Sequence, residues 1–125
     1  MKYDIVHAIP LLAPNANWTI LSDDYSTLQW FSPEIPQPTL AELTEKAAEL
    51  NAAEPMRLLR IERDRRLAEV DWMVIKYLSL GQPIPAELSN YMQTLRDLTT
   101  NSTPALNQYY ELDLSSVNWP TKPSL

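Results

Sequence analysis

The side chains able to do chemistry are few, and none stands in a catalytic pattern. His7 is the single histidine. Nucleophilic catalysis needs a base beside its nucleophile, and no Gly-x-Ser-x-Gly turn occurs in the chain. A histidine/carboxylate metal centre needs more imidazoles than one. The chain has no cysteine, so disulfides and thiolate metal sites are excluded. Asp23 and Asp24 could in principle hold a hard cation, but the segment lacks the ligand spacing and the glycine of a calcium loop. They read instead as turn residues. With a single glycine, Gly81, there is no phosphate-cradling loop. The sequence therefore assigns no catalytic residue, no metal ligand and no cofactor. It describes a protein that is not an enzyme and works by contact.

One cluster of charge needs weighing on its own. Arg57, Arg60, Arg63, Arg65 and Arg66 fall within ten residues, which invites an RNA- or phosphate-binding reading. Glu62, Asp64, Glu69 and Asp71 are interleaved with them, and that favours a salt-bridged, solvated helix face. The net charge of −6 also argues against binding a nucleic-acid backbone. A third reading pairs Arg63, Arg66 or Arg96 with Asp71 or Asp97 across a helix pair or a subunit boundary, where bidentate arginine–carboxylate bonds fix register.

The elements that would position these groups differ along the chain. Residues 1–38 read as a small β region. Tyr3–Ile9 has the composition of a strand ended by Pro10. Two further alternating stretches, 17–22 and 27–31, flank the Asp23-Asp24-Tyr25-Ser26 turn, as in a β-hairpin. Trp18, Ile20, Leu28, Trp30 and Phe31 lie on that hairpin. Two readings stay open for them: an exposed partner-binding patch, or the core of a very small β domain. Pro33, Pro36 and Pro38 then stiffen a linker.

Residues 39–125 read as mainly α-helical. Thr39 and Glu42 form a capping-box pattern ahead of a thin, alanine-rich helix over 40–53. Pro55 ends it and suits the first turn of a second helix, 55–79. That helix carries the stripe Leu59, Arg63, Leu67, Val70, Val74 and Tyr77, thickened by Met73, Ile75, Leu78 and Leu80. Gly81 is a natural terminator with Pro83 just beyond. A third helix, 85–98, presents Leu88, Tyr91, Met92, Leu95 and Leu98. The expectation is an α+β chain: a small N-terminal β-hairpin or sheet region, then a helical hairpin and an extended tail. Tyr109–Leu114 could add a short strand, and Trp119 an anchor for the tail. No run approaches the roughly 20 apolar residues of a membrane helix. The start of the chain also lacks the small-residue cleavage site of a signal peptide.

The segment ERDRRLAEVDWMVIKYLSLGQPIPAELSNYMQTLRDL, followed some way on by VNWPTKP, resembles the bacteriophage tail assembly chaperones, including tail-fibre assembly chaperones. The residues that carry the resemblance are Arg63-Asp64, Leu67-Ala68-Glu69, Asp71-Trp72, the Pro83/Pro85 connector, Tyr91, Leu95 to Leu98, and Val117 to Pro120. The upstream pieces DDYSTLQW and PQPTLAEL are similar to the N-terminal part of other small phage tail proteins. The chain departs from the pattern at Met92, where the family often carries arginine.

The resemblance implies a phage-encoded factor, in the host cytoplasm, that binds a tail-fibre or other tail protein and assists its folding and trimerisation without catalysis. It implies client contact through the variable N-terminal part, here Trp18, Ile20, Leu28, Trp30 and Phe31. It implies self-association, with a trimer to match a trimeric client, through the helical part. The residues concerned there are Arg63, Leu67, Asp71, Trp72, Val74, Leu88, Tyr91, Leu95, Arg96, Asp97 and Trp119. The alternative is a structural tail or baseplate component, or a fibre adaptor of the virion. No nucleic acid or membrane partner is expected.

Overall fold

A computed structural model describes residues 2–124. In chain order it contains α1 (Ile5–Leu12), β1 (Trp18–Thr19), β2 (Gln29–Trp30), α2 (Leu40–Glu69), α3 (Asp71–Ser79) and α4 (Ala86–Asn101). The architecture is α+β, with one two-stranded antiparallel sheet ahead of long helices. Two compact units divide at Glu54/Pro55, Met1–Glu54 and Pro55–Leu125.

In the first unit, the segment expected as a strand is helix α1. Its start is a reciprocal cap. The Asp4 carboxylate accepts the Val6 N–H at 2.9 Å, and His7 Nδ1 accepts the Asp4 N–H at 3.1 Å. Such a cap satisfies backbone donors that would otherwise be orphaned. Ile5, Ala8 and Ile9 are then buried at helical spacing against Leu43 of α2. Pro10 removes one backbone donor from this helix, and the buried face outweighs that loss. The apolar run satisfied both periods, and the cap with its tertiary contacts selects the helix.

The hairpin forms as expected, with Trp18 paired to Trp30 and Thr19 to Gln29. Its tip is held by Asp24, whose carboxylate accepts both the Ser26 N–H (3.1 Å) and the Ser26 hydroxyl (2.6 Å). Asp24 therefore serves the turn. The proline segment that follows is fastened down. Trp30 Nε1 donates to the carbonyls of Ser32 and Ile35, both at 2.9 Å, and the Tyr25 hydroxyl donates to the Pro38 carbonyl at 2.9 Å. The Thr39/Glu42 capping box is present, both bonds 3.1 Å. Asn51 clasps the backbone of Tyr3 through both ends of its amide, and the Tyr3 hydroxyl donates to the buried Glu54 at 2.8 Å.

Helix α2 continues through Pro55 instead of ending before it. The interruption falls at Val70, where the backbone (φ −105°, ψ 2°) leaves helical geometry and the N–H turns back to the Leu67 carbonyl at 3.2 Å. Val70 is completely buried, and its placement in the second core fixes the break. The single helix expected over 55–79 is thus the second half of α2 plus α3.

The core of the second unit is Leu59, Val70, Met73, Leu88, Tyr91, Leu95, Leu98 and Val117. The four buried residues of α4 follow the expected stripe. Gly81 (φ 65°) closes α3 as foreseen: its N–H reaches the Leu78 carbonyl at 3.1 Å, and that of Gln82 reaches Tyr77 at 3.0 Å. This is the paired 6→1 and 5→2 pattern of a left-handed helix terminator. The strand expected at Tyr109–Leu114 reduces to one antiparallel bridge, Leu106 to Leu112, around a tight reversal whose Asn107 side chain accepts the N–H groups of Tyr109 and Glu111. A single glycine does not limit the chain to one left-handed turn residue, since Asn15, Ser22 and Tyr110 also have positive φ.

Candidate functional site

The surfaces that could recognise another protein follow from which apolar side chains the two cores leave out. On the hairpin, Trp18, Ile20, Leu28 and Trp30 are half-buried and pack against the Ile5, Ile9 and Leu43 cluster. Phe31 is the exception, 56% exposed, and Leu21 at the other strand's end is 72% exposed. Four of the five hairpin residues singled out in the sequence therefore serve mainly to hold the first unit together. Leu21 was missed because an exposed leucine beside a turn carries no periodic signal. A shallow cavity of about 370 Å³ at the hairpin tip is lined by residues that include Ile20, Leu21, Thr27 and Leu28.

The residues expected to mediate self-association separate into two groups. Leu88, Tyr91 and Leu95 are buried, and Leu67, Val74 and Trp119 pack against them. Burial pushes the Tyr91 hydroxyl pKa up. Asp71, Arg96 and Asp97 are exposed, Asp97 accepting from Gln93 at 2.9 Å. Trp72 is 53% exposed.

Its neighbours Ile75, Leu78 and Leu80 are also open to solvent. The sequence placed these three in the apolar stripe. Met73 faces the core from α3, with Val74 and Tyr77 half-buried, so the inward line is the expected Val70, Val74 and Tyr77 stripe. Trp72, Ile75 and Leu78 are left outside. Together with Leu80 they are large apolar side chains that neither core of the protein covers.

Three of the five clustered arginines are spent along their own helix. Arg63 binds Asp64 through Nε (3.0 Å) and a terminal nitrogen (2.9 Å), Arg65 grips Glu62 and Glu69, and Arg66 Nε donates to Glu62 at 3.0 Å. The Arg65 guanidinium, opposed by desolvation and helped by Arg66, holds the Glu62 carboxyl down to about 2 and has its own pKa raised in return. Within the chain, Arg63 and Arg66 pair with these local acids and not with Asp71 or Asp97 across the helix pair. These local pairs need no second element to be ordered first. Arg66 also lies against Trp119, its guanidinium carbon 4.2 Å from the ring centroid. The Trp119 indole donates to the Leu114 carbonyl at 3.1 Å, and Lys122 approaches Glu69 at 3.9 Å. The tail is thereby fixed to α2.

The match to known proteins falls on this part of the chain. A family described as phage tail assembly chaperone protein matches residues 56–124, more than half of the chain and nearly the whole second unit. The chain belongs to the phage tail assembly chaperone family. No curated protein and no solved structure matches it. Its role is accordingly that of a chaperone in tail assembly, acting on phage tail proteins. Among the described residues, no helix is long and apolar enough to cross a membrane.

Proposed function

We propose that the client is a tail-fibre polypeptide, and that this protein binds it in the host cytoplasm, without catalysis, to assist its folding and trimerisation. An unassembled fibre exposes apolar surface and unpaired strand edges that aggregate. The observation that carries the reading is the division of labour in exposed apolar groups: Phe31 and Leu21 on the first unit, Trp72, Ile75, Leu78 and Leu80 on the second. The first set is offered to the client. Its position at a short, two-stranded sheet suits contact with an extended segment, with or without strand addition. The second set, in the segment that the family shares, is offered to further copies of this chain as a homo-oligomer. The ion-paired arginines leave little net positive charge for a nucleic acid.

Co-expression with a tail-fibre polypeptide tests the reading. Soluble, trimeric fibre should rise in the presence of this protein, and an unchanged yield overturns it. Mass spectrometry of purified particles separates it from a structural tail or baseplate part. An assembly factor is absent or substoichiometric in the particle, and a structural part has a fixed copy number.

A further inference from the structure

The geometry points to α3 as a parallel, in-register seam between copies of this chain, with Trp72 and Ile75 on the shared axis and Asp71 of each copy paired to Lys76 of its neighbour. The inference rests on the reading that the chain self-associates, and adds the face, the orientation and the charge pair.

Trp72, Ile75 and Ser79 follow one another at i, i+3 and i+7 and so run along one line of the helix. That line points away from the core side, where Met73 is buried and Val74 packs. Trp72 and Ile75 are 53% and 64% exposed, and Leu78 beside the line is 64% exposed. Asp71 and Leu78 form one border of the line and Lys76 the other. Both charged residues are exposed, and among the described residues neither forms an ion pair. Every acid of the neighbouring arginine segment is, by contrast, already paired: Glu62, Asp64 and Glu69.

Charge placement selects the occupant and its direction. When two amphipathic helices pack side by side in parallel, opposite borders meet, and a residue on one border reaches the residue five places further along on the other border of its neighbour. Asp71 and Lys76 stand five apart with opposite charge. In an antiparallel pair like borders meet, which sets Lys76 toward the Lys76 border of the other copy and Asp71 beside Leu78. The parallel arrangement neutralises both charges and buries the line, and a second copy supplies what the face lacks. The seam is two turns long. Even with Leu78 and Leu80 it falls short of the roughly 800 Å² per partner of a standard interface. Association is therefore reversible and concentration-dependent.

Sedimentation velocity of the full chain over a range of concentrations, with circular dichroism as a control on folding, tests the inference. Wild-type protein should form dimers or trimers. Asp71→Lys should weaken association by about tenfold or more, and so should Lys76→Asp. The double swap should restore it to within about threefold. Any damage from the altered helix-end charges would add in the double variant, so recovery cannot come from the helix alone. Ser79→Cys, in a chain with no other cysteine, should cross-link between copies under mild oxidation, because the parallel seam sets the two positions face to face, whereas the antiparallel pairing that puts Asp71 beside Leu78 sends them to opposite ends. A protein monomeric at every concentration overturns the inference. So does one whose association ignores both charge reversals and whose Ser79→Cys variant stays uncross-linked. Either result leaves the fibre co-expression assay free to succeed, so the two readings fail separately.

Discussion

The guanidinium of Arg66 stacks on the indole of Trp119, 4.2 Å from its centroid, while its Nε binds Glu62 at 3.0 Å. One cation thus links a helix surface to a residue more than fifty positions later in the chain. It explains why a tail without periodicity keeps a fixed course. Removing the ring by Trp119→Ala should cost about 2 kcal/mol, from lost packing and the cation–π contact. Urea denaturation gives the magnitude. Limited proteolysis should show new cleavage after residue 104, with α4 still protected.

Acid should weaken the second unit through Glu62. Its folded pKa is depressed from 4.5 to about 2. The stabilisation it provides is fully present above about 4.5 and drains away as pH falls toward 2. Thermal melts between pH 6 and pH 2 should therefore slope downward for wild type and be flatter for Glu62→Gln, which is less stable at neutral pH. Equal slopes would mean that the arginine pairs contribute nothing.

Helix α1 depends on its cap. Asp4→Ala leaves the Val6 N–H without its carboxylate acceptor and should cost about 1 kcal/mol. Hydrogen exchange at residues 6–9 reads the effect, with faster exchange confined to the first unit.

Gly81→Ala places a side chain at φ 65°, where nothing lies within 4 Å of the new Cβ. Crowding is absent, so the cost is conformational alone, about 1 kcal/mol. Gly81→Asn should recover part of it, because asparagine tolerates the left-handed region. Chemical denaturation of the three proteins gives the order.

Phe31 and Leu21 bury little within their own unit. Phe31→Ser with Leu21→Ser should shift stability by no more than about 0.5 kcal/mol, yet abolish the gain in soluble fibre on co-expression. A double variant that unfolds, or that rescues fibre as well as wild type, removes these residues from the client-binding reading.

What could be read from the sequence followed from local chemistry. The Thr39/Glu42 box, the Gly81 terminator, the hairpin turn at Asp24 and the α4 stripe each depend on neighbours within a few residues, and all are present. What escaped depended on partners far away. Tyr3–Ile9 satisfied strand and helix periods alike until contact with Leu43 decided it. Pro55 looks like a helix stop, yet α2 passes through it. The true interruption is at Val70, a residue with no breaking tendency, drawn inward by the core. Ile75 and Leu78, which the sequence added beside the stripe of Val70, Val74 and Tyr77, lie outside it on the solvent side. Part of the candidate site was thus hidden by a stripe drawn too wide on a single helix.

The burial of Val117 beside Leu59 and Leu88 in one cluster has a consequence for biosynthesis. A nascent chain emerges from the ribosome in order, and the hydrophobic centre of 55–125 stays incomplete until residue 117 is outside the exit tunnel. The core of the first unit, Ile5, Ala8, Ile9 and Leu43, lies wholly before Glu54 and can be finished well before that. Translation itself then supplies a sequence of events, with the hairpin end mature while the helices behind it are still waiting for their last aliphatic plug.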